Sequence, residues 1–427
     1  MGSDGGCPHV WGAAGGDPSP APLSCDSEHL QWTVLPGSTL ATCGRSLRYL
    51  VGSCLGGLCY TYGNFRSYSV SASPELGTVA QAEPIGWGAM EILVGLAPGS
   101  TGGTLTLTGE FTGEDACYRQ PLTCDLDLGY TIEIEAAGTD EMTWGTSGQS
   151  CPEGLSCAGV DCCSRILVPG GTFLMGDDSL ANAAPEHEVS VSAFYLDEFE
   201  VTVARYARFV DSFDGSYPVE GAGAHPLIPD SGWRSTWNAG LRVCPIDDFY
   251  GVGLGAMLDD PDAQQHPVQG VSWVEAMAFC IWDGGRLPTE AEWEFAATGG
   301  DENRPYPWGS EDPDQTRVGS LGQVSPVGSH PAGNARWGHQ DMAGGGVEWV
   351  LDAYSADWYS SPDASCSDCA WLENEDARVV RGSGDPRLGN HLTFGRTVSN
   401  FVMAANAGSE SDVAEATGFR CAYDSEL

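Results

Sequence analysis

Sixteen cysteines in 427 residues constrain this chain more than any other feature of its sequence. Most lie in Gly-, Pro- and Ser-rich stretches rather than in periodic apolar segments, where they would simply fill a core. Thiols in that setting point to disulfides and to an oxidising compartment. A secreted, extracellular or surface-attached protein is therefore expected. Met1-Gly2-Ser3 opens no basic segment followed by an apolar stretch, so the start reads as a mature chain whose leader is gone. Gly6 stands where a myristoylation signal needs Ser or Thr.

Charge excludes whole classes of partner. Asp and Glu number 59 against 18 Lys and Arg, a formal net charge of -41. Nucleic acid and anionic membrane surfaces would be repelled. The acids are spread along the chain rather than run in blocks, which reads as solvation in a salty medium. No apolar run approaches the roughly 20 residues that span a bilayer. A hydrophobic content of 41% suits packed cores.

Four regions follow from local pattern. Residues 1–30, with Cys7 and Cys25, read as an extended, tethered arm. Residues 31–140 read as a small disulfide-rich all-β domain of sandwich type, in which Thr104 to Thr108 and Tyr130 to Ile134 alternate strictly. Some of Cys43, Cys54, Cys59, Cys117 and Cys124 would staple it. Residues 141–165 form a Cys-rich junction, whose Cys-x5-Cys and adjacent Cys162-Cys163 suit disulfides better than zinc. Residues 166–427 form the last domain. There Glu188 to Tyr195 is strand-like, and Thr202 caps a helix with Val203, Tyr206, Phe209 and Val210 on one face. Ser272 with Glu275, and Thr289 with Glu292, make capping boxes that start two further helices. Glu290, Glu292 and Glu294 crowd the second of these starts, which suits capping and the helix dipole. The remainder is Gly- and Trp-rich with little periodicity, so the domain is α+β with low regular secondary structure.

The segments LVPGGTFLMG (Leu167 to Gly176), HPVQGVSW (His266 to Trp273), GGRLPTEAEWEFAA (Gly284 to Ala297), DMAGGGVEWV (Asp341 to Val350) and GFRCA (Gly418 to Ala422) carry a family signal in their order and spacing. From about Ile166 onward the chain resembles the formylglycine-generating enzyme family, the sulfatase-modifying factors. The resemblance implies a variant of the C-type lectin fold. It also implies an oxidase that converts a sulfatase cysteine to formylglycine, using oxygen and a copper ion held by two thiolates. Soft thiolates select Cu(I). Counted onward from the turn Arg381-Gly382-Ser383-Gly384, the two thiolate positions are Arg387 and Leu392, and the family's serine position is Gly384. Arg stays protonated and Leu has no donor atom, so neither holds copper. Cys366 and Cys369 lie too far upstream to substitute.

The resemblance further implies one structural calcium ion, at Asp341 and Glu348 with the carbonyls of Gly344 and Gly346. Calcium takes six to eight oxygens at ~2.3–2.6 Å, so other groups complete the shell. Gly345-Gly346-Val347 replaces the family's Asn-Val-Trp and should loosen the loop. A second family calcium site is expected to be missing, because Thr316-Arg317-Val318 leads almost directly into Ser325-Pro326-Val327. The family bridge between helix and Gly-Phe-Arg-Cys-Ala segment is Cys280–Cys421 here, and the cysteines of a second family bridge are replaced by Ala297 and Thr397. Cys366–Cys369 reads as a local bridge. Five cysteines follow the junction and eleven precede or belong to it, so one bridge should cross the count. Cys244 is accordingly expected to pair with Cys162 or Cys163.

These readings lead to a non-catalytic binding or structural protein, its ligand a protein or a glycan. Arg387, His391 and Arg396 are the candidate pocket. Two alternatives stand beside it. One is an enzyme of different, copper-free chemistry on the same cleft. The other is a hypervariable ligand-binding protein of the retroelement-diversified kind, whose varied segment would run from Arg381 to Ala422.

Overall fold

A computed structural model of the chain describes the strands between residues 30 and 133 with some of their connections, residues 142–382 apart from short breaks at 152–153, 179–182, 242, 244–257, 259, 319–323 and 374–376, and residues 401–404 and 417–425. It divides into two compact units, Met1–Met142 with Asp211–Ser216, and Thr143–Val210 with Tyr217–Leu427.

In the first unit, alternation sets the architecture. One antiparallel sheet holds β1 (Leu30–Val34), β2 (Ala41–Cys43), β3 (Ser46–Leu55), β6 (Ala89–Leu96) and β5 (Gly77–Gly86). A second antiparallel sheet holds β4 (Thr61–Ala72), β7 (Gly102–Asp115) and β8 (Pro121–Glu133), in the order β4-β7-β8. Leu105 and Leu107 are buried while their Thr neighbours are not, as a period of two requires. Ile92, Val94 and Leu96 are buried in β6 together with Leu93, so burial there does not alternate strictly. Phe111 meets Phe65 edge to face across the β4–β7 pair, with centroids 5.3 Å apart. The arm, and the bridges of Cys7, Cys25, Cys43, Cys54, Cys59, Cys117 and Cys124, lie outside the described residues and side chains.

The second unit opens with the junction, where β9 (Ser156–Cys157) pairs with β10 (Val160–Asp161). Three small sheets follow. One orders β11 (Arg165–Val168), β14 (Phe194–Asp197) and β19 (Ala422–Asp424); another pairs β12 (Gly171–Met175) with β13 (His187–Val191). The third runs β17 (Phe401–Ala404), β16 (Ala377–Gly382), β15 (Val347–Ala353) and β18 (Thr417–Phe419), with β15 and β18 parallel. The single strand expected over Glu188 to Tyr195 is thus two strands in different sheets, parted at Ser192-Ala193.

The helices begin where the caps dictate. In α1 (Val203–Ser212) the Thr202 hydroxyl accepts the Arg205 N–H at 3.3 Å. Both α2 (Trp273–Trp282) and α3 (Glu290–Thr298) start with complete capping boxes, Ser272 with Glu275 and Thr289 with Glu292. Gly299, left-handed at φ 74°, ends α3, where a side chain would be strained. A short α4 (Gln315–Val318) completes the helices among the described residues. Trp293 and Phe295 of α3 pack with Phe173, Val189 and Val350, and Tyr206, Phe209, Phe279 and Phe419 form an aromatic cluster beside α2.

Four bridges hold this unit among its described residues. Cys280–Cys421 joins α2 to the segment before β19 with Cα atoms 5.5 Å apart at a sequence separation of 141. Closing a loop that long is worth up to about 5 kcal/mol in the chain-entropy account. Cys366–Cys369 is local. The expected bridge from Cys244 to Cys162 or Cys163 is corrected: Cys162 pairs with Cys157 and Cys163 with Cys151. Near neighbours in sequence close more cheaply than a distant thiol, and counting parity gives them no weight. Cys244 itself lies outside the described residues. No helix among the described residues is long and apolar enough to cross a membrane.

Candidate functional site

Three buried arginines organise the second unit, each neutralised differently. Arg205 of α1 reaches Asp197 of β14 at 2.9 Å, Asp283 after α2 at 3.2 Å and the Ser150 hydroxyl at 2.9 Å. Asp283 also accepts the Ser150 N–H at 2.8 Å and the Tyr423 hydroxyl at 2.9 Å. The Cys-rich junction is therefore seated on the domain rather than strung beside it.

Arg420, between β18 and β19, uses all five of its N–H donors. Two go to the Glu348 carboxylate, both at 2.7 Å, and three to the carbonyls of Asp197, Glu198 and Gln340 at 3.0–3.2 Å. Glu348 receives a third bond from the Trp293 indole at 2.9 Å. That leaves Glu348 one oxygen with room for another partner.

The loop Asp341–Gly346 runs past this ion pair. Asp341 is left-handed at φ 58°, and its carboxylate accepts the Gly328 N–H at 2.6 Å. The Gly344 carbonyl accepts the Gly346 N–H at 2.9 Å. The side chain that sequence reasoning missed is Glu200. It is 1% exposed, and neither of its oxygens has a hydrogen-bond partner. A Cβ on Gly345 would sit 2.9 Å from Glu200 Oε2, so the carboxylate occupies room that only glycine leaves. Burial first, then the neighbouring Glu348 and Asp341 charges, push its carboxyl well above the ordinary range, against the pull of Arg420. Burial likewise raises Asp341. The signal was an acid set between two apolar residues, Phe199 and Val201, just ahead of α1.

Three carboxylates against one guanidinium leave the pocket two negative charges in surplus. Such a surplus is expensive in a buried site unless protons or a cation remove it. One divalent ion would balance it. Among the described residues no three His, Cys, Asp or Glu side chains converge as ligands. A cation here would draw on Asp341, on the spare capacity of Glu348, and on the carbonyls of Gly344 and Gly346.

Arg381 of β16 is shared between two carboxylates. Its two terminal nitrogens donate to Glu290 at 3.0 Å and Glu294 at 2.7 Å. Glu290 also accepts the Tyr359 hydroxyl at 3.0 Å, and Glu294 the Gly176 N–H at 2.8 Å. Burial pushes Glu294 up to about 7, although Arg381 and Gly176 oppose it. One guanidinium for two buried acids makes that direction physically sound. The expectation that all three glutamates serve the helix terminus holds for Glu290 and Glu292, which lie in the first turn, and is corrected for Glu294. Only Glu292 caps, and it also takes the Arg286 fork at 2.7 Å on each oxygen. Glu290 and Glu294, four apart and so on one face, both turn to Arg381.

This pinned Arg381 opens the Arg-Gly-Ser-Gly sequence, and β16 sets its register: Arg381 faces Glu348 and Gly382 faces Val347. A family model, the sulfatase-modifying factor enzyme 1-like domain, matches residues 156–425. The chain belongs to the sulfatase-modifying-factor family. Among its relatives in that family, the formylglycine-generating enzyme of Thermomonospora curvata is 31% identical over 297 residues, covering 61% of this chain and 93% of that protein. The inactive C-alpha-formylglycine-generating enzyme 2 of Bos taurus is 30% identical over 287 residues, covering 61% and 87%. The hercynine oxygenase of Mycolicibacterium smegmatis is 35% identical over 202 residues, covering 44% of this chain and 45% of that protein. Family membership carries the formylglycine-generating-enzyme fold with it. The copper positions Arg387 and Leu392, the serine position Gly384, and the candidate pocket Arg387, His391 and Arg396 lie outside the described residues.

Proposed function

We propose that this protein is an exported, non-catalytic binding or structural member of the family, with the formylglycine-generating activity lost and a protein or glycan as its ligand. One observation carries the reading. Arg381 is fixed in register by β16 and held by two buried glutamates, and counting onward from it puts Arg387 and Leu392 where the family's thiolates belong. Without a thiolate pair there is no soft site for Cu(I). The similarity to a relative named inactive supports loss of chemistry within this family. The four described bridges support an oxidising compartment. Competition for Cu(I) against a chromophoric chelator tests the reading: no 1:1 complex should form, and a tight complex would reject it.

The same reading includes one structural calcium ion at Asp341, Glu348, Gly344 and Gly346. Its support is the surplus negative charge around Arg420 and the orphaned Glu200 oxygens behind the loop. A calcium ion there would supply charge balance and hold the Gly-rich loop. The second functional reading, a copper-free enzyme on the same cleft, is favoured by the similarity to a hercynine oxygenase. Turnover without copper would distinguish it.

A further inference from the structure

Cys366–Cys369 closes the shortest loop of the four described bridges. The staple Cys280–Cys421 is fully buried, and Cys157 and Cys162 are 1% exposed. Cys366 and Cys369 are both half-buried, as are Cys151 and Cys163. Their bridge spans a separation of 3 residues, so it removes little chain entropy from the unfolded state and is a weak staple.

The loop does not depend on that bridge for its place. Ser190 of β13 donates its N–H to the Cys366 carbonyl at 2.9 Å, and its own carbonyl accepts the Asp368 N–H at 2.9 Å. Asp368 is held again from the other side, by the Ser192 N–H at 2.6 Å and the Ser192 hydroxyl at 2.7 Å. The loop also holds an acceptor for the reduced state. The Ala364 carbonyl lies 3.1 Å from Cys366 Sγ, where it can accept a hydrogen bond from the thiol once the bridge opens. Both redox states thus fit the same backbone.

We infer that the Cys-Ser-Asp-Cys loop at Cys366–Cys369 is a thiol–disulfide exchange site that takes dithiol and disulfide partners at the protein surface. A thiolate of an incoming dithiol attacks one sulfur of the bridge. A mixed disulfide forms, and the other cysteine leaves as a thiolate and takes a proton. The partner's second thiol then attacks the mixed disulfide, releasing the first cysteine, which is protonated in turn. Two electrons pass from the partner, which ends as a disulfide, to the pair, which ends as two thiols. The reverse reaction oxidises the pair at the expense of a partner disulfide. Two thiols three residues apart reclose readily, because their effective concentration is high.

The full-length protein, incubated in dithiothreitol buffers of graded redox ratio and trapped with N-ethylmaleimide, provides the test by peptide mapping. Cys366 and Cys369 should become labelled together at ratios that leave Cys280 and Cys421 unlabelled. They should return to the disulfide when oxidised dithiothreitol is added. The double variant C366S/C369S should melt within about 2 °C of the unmodified protein. Labelling of this pair only alongside Cys280 and Cys421 would overturn the inference. So would a melting loss in the double variant comparable to that of C280S/C421S, since the bridge would then be a staple.

Discussion

Arg420 and Arg381 are both fully buried guanidiniums in the same unit, and their surroundings differ in kind. Arg420 is saturated by one carboxylate and three backbone carbonyls, while two further acids, Glu200 and Asp341, crowd nearby with no cation of their own. Arg381 is divided between the Glu290 and Glu294 carboxylates, and its backbone pairs with β15. The first arrangement knots chain segments together and leaves a charge surplus beside a glycine-rich loop. The second clamps the turn that leads toward the family's catalytic positions. A scaffold can therefore keep the clamp while the chemistry beyond it changes.

The largest effect should come from breaking the Arg420 knot. Arg420→Met strands Glu348 as a buried charge and orphans three carbonyls. A loss on the order of 3–5 kcal/mol is expected, read by urea unfolding of the full chain followed by tryptophan fluorescence. A loss below about 1 kcal/mol would mean that the knot is a surface-like pair.

Arg381→Met should cost less in acid than in base, which separates the two arginines. With the guanidinium gone, Glu290 and Glu294 can take up protons at low pH but must carry buried charge at high pH. Unfolding at pH 5 and pH 8 checks this, with a difference of about 1–3 kcal/mol expected. In the unmodified protein the sign follows from Glu294. Its folded pKa, about 7, lies above the ordinary 4.5, so its contribution is fully present below that value and is lost as pH rises through about 7. Glu294→Gln should flatten that limb. Glu292 acts oppositely. Burial opposes its charge, but the Arg286 fork outweighs burial and holds it well below the ordinary range. Its contribution is present above the ordinary value and lost on acidification, so Glu292→Gln should blunt only the acid limb.

An effect of similar size is expected from calcium. Saturating ion at 100 times its dissociation constant would add about 2.7 kcal/mol, so chelation should lower the melting temperature by several degrees, and Asp341→Ala should remove that response. An unchanged melting curve on chelation would reject the site. Smallest is Gly345→Ala, at about 1 kcal/mol, because Gly345 sits at φ 76° and the new methyl meets Glu200 Oε2 at 2.9 Å.

Much of this contrast was legible in the sequence, but only where the signal is local. Ser272 with Glu275 and Thr289 with Glu292 announce helix starts because a capping box is complete within four residues. Leu105 and Leu107 announce a strand because burial alternates with the pleat. The site was legible only in part. Asp341 and Glu348 share a loop and its strand, whereas Glu200 and Arg420 reach the same pocket from opposite ends of the unit. No local pattern links them. The fourfold spacing of Glu290 and Glu294 was visible, yet their common partner Arg381 is 91 and 87 residues away. The bridges of Cys162 and Cys163 were misassigned for the converse reason: a count over the whole chain was allowed to outweigh short loops.

Whether the family's oxidation is lost, as proposed, is read directly by one assay. The purified protein is incubated in air with a sulfatase-type cysteine peptide, with and without added copper, and the peptide is analysed by mass spectrometry. No formylglycine is expected above a control lacking protein. A peptide aldehyde that appears only with the protein present would contradict it.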